Sequence, residues 1–170
     1  LEGMPVPPFI PKRKIRVLYK ECHIAGTTFH NLEDVWGELY EGAALALVRE
    51  KGNLHDRNAV AVALADDYDG DPEDFDFDYI LGYVPRTENA HIAMMLDMGW
   101  AETFECELSR IEGDNPRTGK LYMKIYIVSK DEVEVTGHLL RAMKFDDEEF
   151  VDLTTSLLNQ GCTYFRWGGF

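Results

Sequence analysis

Residues 44–64, ALALVREKGNLHDRNAVAVAL, constrain the fold more than any other stretch of the chain. Two apolar runs, 44–48 and 59–64, flank a polar segment from 50 to 58. Both runs have strand length and are built from Val, Leu and Ala, so strand–loop–strand is expected. The loop is richer than a hairpin requires. Gly52, Asn53, Asp56 and Asn58 are turn formers, and a tight hairpin needs only two such residues. Asn, His, Asp, Arg and Asn so close together bring donors, acceptors and both charges onto one loop, as a small polar pocket requires. A connector whose Asn and Asp side chains bond only their own backbone is the other reading of the same residues.

Length and charge narrow the classes. At 170 residues, a single domain able to bury a real core is expected. Apolar residues make up 45% of the chain, and no apolar run reaches bilayer length. The start, LEGMPVPPFIPKRK, lacks the apolar centre of a signal peptide. Residues 1–3 read as a cloning remnant, which implies an excised domain. Cys22, Cys106 and Cys162 are scattered, odd in number and not in metal spacing. They read as small buried hydrophobes in a reducing, cytoplasmic compartment. The net charge of −14 opposes generic nucleic-acid binding, which relies on Lys and Arg at phosphates. That charge is local, however. Eight carboxylates lie in 66–78 and five in 146–152, and without those 13 the remainder is about −1.

Taken in order, residues 1–13 are Pro-rich and expected to be extended or mobile. Lys12, Arg13, Lys14 and Arg16 form a basic run that reads either as a solvated edge or as a phosphate contact. Strands are expected over 15–19, continuing through 21–28, then over 79–84, 101–111 and 120–128, with a last one at 162–167. Helices are expected from Asn31 through Leu39, from a Thr87 cap to Gly99, and over 147–160. Gly26 marks a position needing space or a positive φ. Trp36 reads as core. The acidic insertion at 66–78 reads as a solvated, flexible loop. Its DYDGD run misses the EF-hand spacing, because Gly stands fourth and Pro72 sixth. Residues 130–145 are the least legible stretch.

Three blocks resemble the HIRAN domain family. The central one is Arg49-Glu50 followed by Asn53-x-His55-Asp56-x-Asn58-Ala59-Val60-x-Val62. Residues 24–29 (IAGTTF) precede it and residues 81–85 (LGYVP) follow it. The resemblance covers residues 15–128, with a weaker echo to 164. It implies a mainly β fold with α (α+β): a small antiparallel OB- or SH3-like barrel of six strands with two or three flanking helices. It also makes residues 14–170 a single domain of that type.

By the same resemblance, the function is that of a module binding single-stranded DNA, at 3′-hydroxyl ends, in DNA repair or processing. The implied DNA-binding residues are Thr28, Phe29, Asn53, His55, Asp56 and Tyr83. Phe29 and Tyr83 would stack on or wall a base, and Asp56 would accept the terminal hydroxyl proton. Asn53 and the backbone near His55 would hold a base edge or sugar. Thr28 departs from the family, which has a cation there. Any helicase or nuclease partner lies on another chain or domain. The five histidines lack HxH or HExxH spacing, and no Walker loop, GxSxG or C-x-x-C is present. No catalytic residue, metal or cofactor is therefore expected. Two alternatives stay open: an acidic protein-interaction module or DNA mimic, and a metal-dependent phosphodiesterase.

Overall fold

The computed structural model describes residues 12–27 and 32–135, divided between two compact units. In chain order the strands are β1 (Lys12–Arg13), β2 (Arg16–His23), β3 (Ala44–Arg49), β4 (Val60–Leu64), β5 (Gly82–Tyr83), β6 (Phe104–Glu112), β7 (Lys120–Val128) and β8 (Val133–Glu134). One α-helix, α1 (Ala90–Asp97), is present among the described residues. The smaller unit holds β1 paired antiparallel with β8, so part of the basic run is a strand. There Ile15 and Ser129 exchange hydrogen bonds of 2.8 Å.

The larger unit, Tyr19–Ile127, carries the function-bearing loop. Its six-stranded antiparallel sheet has the order β2-β7-β6-β3-β4-β5 and curls into a half-barrel. After β2 the chain changes partners. The Ile24 N–H donates to Leu121 of β7, while Ala25 exchanges two 2.8 Å hydrogen bonds with Tyr83 of β5. The segment leaving one edge strand is thus stitched to the other edge. Gly26 then turns the chain away at φ 71°, a value that favours glycine.

Val60–Ala63 of β4 are all buried, and the reason is visible on both faces. Val60 and Val62 point into the main core with Leu45, Leu108, Met123 and Ile92. Ala61 and Val48 instead lie under Phe75, Phe77 and Tyr68. Those aromatics come from the acidic insertion, where Phe75 packs edge-on against Tyr68 (5.5 Å) and Phe77 (5.1 Å). The segment is therefore anchored rather than loose. Aspartates 69, 71 and 76 each accept an N–H two residues on, which shapes its turns.

Helix content differs from expectation. Residues 32–38 form two 3₁₀ turns, Leu32–Asp34 and Trp36–Glu38, rather than one helix. Gly37 and β-branched Val35 sit in a segment too short to offset helix nucleation. Trp36 packs against the core, over Gly119. The helix expected from a Thr87 cap starts two residues late, at Ala90, because Glu88 first closes a turn on Pro85. It ends as expected. The Gly99 and Trp100 N–H groups reach back to Leu96 and Met95, with Gly99 at φ 82°. The strand expected over 79–84 shrinks to β5, since Tyr79 closes a turn on Asp76. Residues 101–103 form a 3₁₀ turn ahead of β6. Residues 1–11, Thr28, Phe29, Asn31, the helix expected at 147–160 and the strand at 162–167 lie outside the described residues. Among the described residues no helix is long and apolar enough to cross a membrane.

Candidate functional site

The loop between β3 and β4 is held from beneath by one side chain. Arg49, at the end of β3, sends its guanidinium across the loop base. Nη1 donates to the carbonyls of Ala59 (2.9 Å) and Glu50 (3.2 Å), and Nη2 donates to that of Arg57 (2.7 Å). Nε meets Asp97 at the end of α1 at 3.1 Å. The planar fork suits this task, as it aims several fixed donors at once.

Asn53 shapes the crown of the loop. Its Oδ1 accepts the N–H groups of His55 and Asp56, both at 2.9 Å, and its Nδ2 donates to Glu50 Oε2 at 2.9 Å. The same Glu50 oxygen accepts the Tyr83 hydroxyl at 2.7 Å. Burial, then the bond to Glu50, pushes the Tyr83 phenol up, so it stays a neutral donor. Asp56 accepts the Asn58 N–H at Oδ1 (2.9 Å) and the Asn89 amide at Oδ2 (2.7 Å). Arg86 completes the ring. Its Nε stands 3.8 Å from Asp56 Oδ2, and its Nη2 donates to the His55 carbonyl.

These groups line one cleft of about 720 Å³, walled by Ala25, Gly26, Asn53, His55, Asp56, Ala59, Tyr83, Val84 and Arg86. That volume falls within the range of small-molecule sites. Four of the six residues anticipated from sequence, Asn53, His55, Asp56 and Tyr83, are thereby brought together. Thr28 and Phe29 lie outside the described residues. Asn53 spends three of its bonds on the loop itself, so bracing accounts for most of its capacity. Sequence reasoning missed Asn89 altogether and saw Arg49 and Glu50 only as part of a motif. Asn89 gave no signal beyond being an amide before a helix.

Elsewhere, Lys20 pairs with Glu88, an interaction that raises the lysine's pKa through the hydrogen bond to that carboxylate. This ties the segment carrying Arg86 and Asn89 to β2. Cys22 and Cys106 are free thiols, and burial pushes Cys22 up to about 11. A thiol so placed is a poor nucleophile at neutral pH. Among the described residues, no group of three His, Cys, Asp or Glu side chains could hold a metal ion.

One family model and two solved structures are similar to this chain. The HIRAN domain model matches residues 18–141. A solved protein from Lactobacillus plantarum is similar in fold, with a TM-score of 0.53 and 19% identity, over 69% of this chain and 99% of that one. The HIRAN domain of human HLTF aligns with a TM-score of 0.46 and 14% identity, over 86% of this chain and 93% of that domain. No curated protein matches. With the family model spanning the whole cleft-bearing unit, the chain belongs to the HIRAN domain family, whose members are in general nucleic-acid-binding modules.

Proposed function

We propose that the cleft receives the 3′ end of a single DNA strand and reads its free hydroxyl. The observation that carries this reading is the state of Asp56. Its carboxylate is clamped on both oxygens yet 20% exposed at the cleft, and it retains lone pairs for one more donor. A hydroxyl can donate to it, whereas a terminal phosphate brings like charge and no comparable donor. Tyr83 supplies an aromatic wall beside which a splayed base can stack, and Phe29 is proposed as the second ring from the family resemblance. Arg86, with its side chain 70% exposed, is the cation lining the cleft and the candidate partner for the adjoining phosphate. It would take the part that Thr28 leaves open.

The test is a titration of a labelled oligonucleotide ending in a 3′-hydroxyl against the same oligonucleotide ending in a 3′-phosphate. Tight binding of the first and weak binding of the second is expected. Asp56→Ala should weaken the hydroxyl-ended strand by about 1–3 kcal/mol, the range for a lost charge-assisted hydrogen bond. Equal affinity for both ends sinks the reading.

One observation favours a second reading. The acidic insertion encloses a cavity of about 500 Å³ lined by Asp66, Asp67, Asp69, Asp74 and Asp76 with Tyr68, Phe75 and Tyr79. A basic protein segment would suit such a lining. On that reading, oligonucleotide binding is absent and neither 3′ group matters.

A further inference from the structure

We infer that Asn89 is a positioning residue. It holds the Asp56 carboxylate in the one orientation that favours a hydroxyl over a phosphate at the bound end. This rests on the DNA-end reading of the cleft.

Asn89 is 1% exposed and occupies the position preceding the first turn of α1. An Asn there ordinarily caps its helix by accepting an N–H. This one makes no cap bond. Its Oδ1 is buried without a hydrogen-bond partner among the described residues. The hydrogen bond recorded for its side chain is Nδ2 to Asp56 Oδ2, at 2.7 Å and across 33 residues of sequence. A buried amide that forgoes its own cap and leaves an acceptor unmet is badly used as a helix residue. It is well used as a donor to the carboxylate. With the Asn58 N–H on Oδ1 and Asn89 on Oδ2, the carboxylate plane cannot turn, and its unused lone pairs keep one direction. The other groups facing Asp56 are Arg86 at 3.8 Å and its neighbour His55, with Glu50 one bond further through Asn53.

The near-isosteric variant Asn89→Asp tests this. It replaces the donor by a carboxyl beside Asp56, and two carboxyls so close share one proton. Once that shared proton leaves as pH rises, both are charged, so the donor is gone and Asp56 is repelled. As pH falls the new carboxyl takes up a proton and donates it to Asp56, as the amide did. Oligonucleotides with 3′-hydroxyl and 3′-phosphate ends are titrated at pH 8, 6.5 and 5 against wild type and variant. The wild-type ratio at each pH corrects for the ligand's own terminal phosphate, whose second proton leaves at about pH 6. The expected result is a drop of about tenfold in hydroxyl-over-phosphate preference at pH 8, recovering toward wild type at pH 5. Asn89→Ser, too short to reach Asp56, should lose the preference at every pH while melting as a folded domain. An Asn89→Ser preference equal to wild type in a folded domain, or an Asn89→Asp preference reduced equally at pH 8 and pH 5, overturns the inference. A wild type indifferent to the 3′ group overturns the DNA-end reading, and that is read from the wild-type arm alone.

Discussion

Gly82→Ala should unfold the domain at markedly lower denaturant or temperature. A Cβ at Gly82 would lie 2.8 Å from Ile24 Cγ2 and nearer still to the Ala25 carbonyl oxygen. That oxygen accepts the Tyr83 N–H, so the clash falls on backbone already committed to joining the sheet's two edges. No rotamer relieves it. Overpacking of this kind costs about 1–3 kcal/mol. Loosening the two Ala25–Tyr83 hydrogen bonds adds about 1 kcal/mol each. A loss of about 3 kcal/mol or more, and a melting point lower by about 10 °C, is expected. Gly52→Ala is the matched control, since no atom lies within 4 Å of a Cβ there. It should stay within about 0.5 kcal/mol of wild type. Equal stability of the two variants by urea unfolding would mean that the Ala25–Tyr83 junction is not what holds the half-barrel in shape.

Arg49→Ala carries the second large effect. It leaves the carbonyls of Glu50, Arg57 and Ala59 without their donor and removes the closer of two cations at Asp97, leaving Lys51 at 3.8 Å as the remaining tie between the loop and α1. The Arg49 side chain is only 9% exposed, so water replaces little of this. Hydrogen bonds from a charged group are worth about 1.5–3 kcal/mol, and a total loss of about 2–4 kcal/mol is expected. Discounting the Asp97 contact, which is partly solvated, keeps the figure at that level. Arg49→Lys should recover little, because an ammonium cannot aim donors at three carbonyls from one plane. Amide exchange at Asn58 and Ala59 should quicken in both variants. Wild-type stability and exchange in Arg49→Lys would show that charge alone, not the fork, supports the loop.

Much of this was legible because local chemistry and tertiary packing agreed. The run 59–64 is Val- and Ala-rich without alternation, and β4 is buried on both faces. Turn formers at 52–58 produced the loop they promised, and Gly99 ended α1. Asn53, His55, Asp56 and Tyr83 could be grouped from the family motif, though no spacing rule shows that residues 53 and 83 face one cleft. What was illegible depends on distant partners. Asn89 acts on a residue 33 positions earlier, and Arg49 acts on carbonyls, which have no side-chain signature. The insertion at 66–78 misled because its carboxylates outnumber its rings. Phe75 and Phe77 nonetheless pin it to Val48 and Ala61. The helix expected from Asn31 through Leu39 gave two 3₁₀ turns because so short a segment containing a glycine does not sustain one.

Ala25 and Tyr83 both join the two edges of the sheet and border the cleft. A guest lodged there would press on the fastening of its own container. Occupancy and structural integrity are then a single equilibrium viewed from two sides. Whatever loosens the fastening weakens the grip, and whatever fills the hollow keeps it shut.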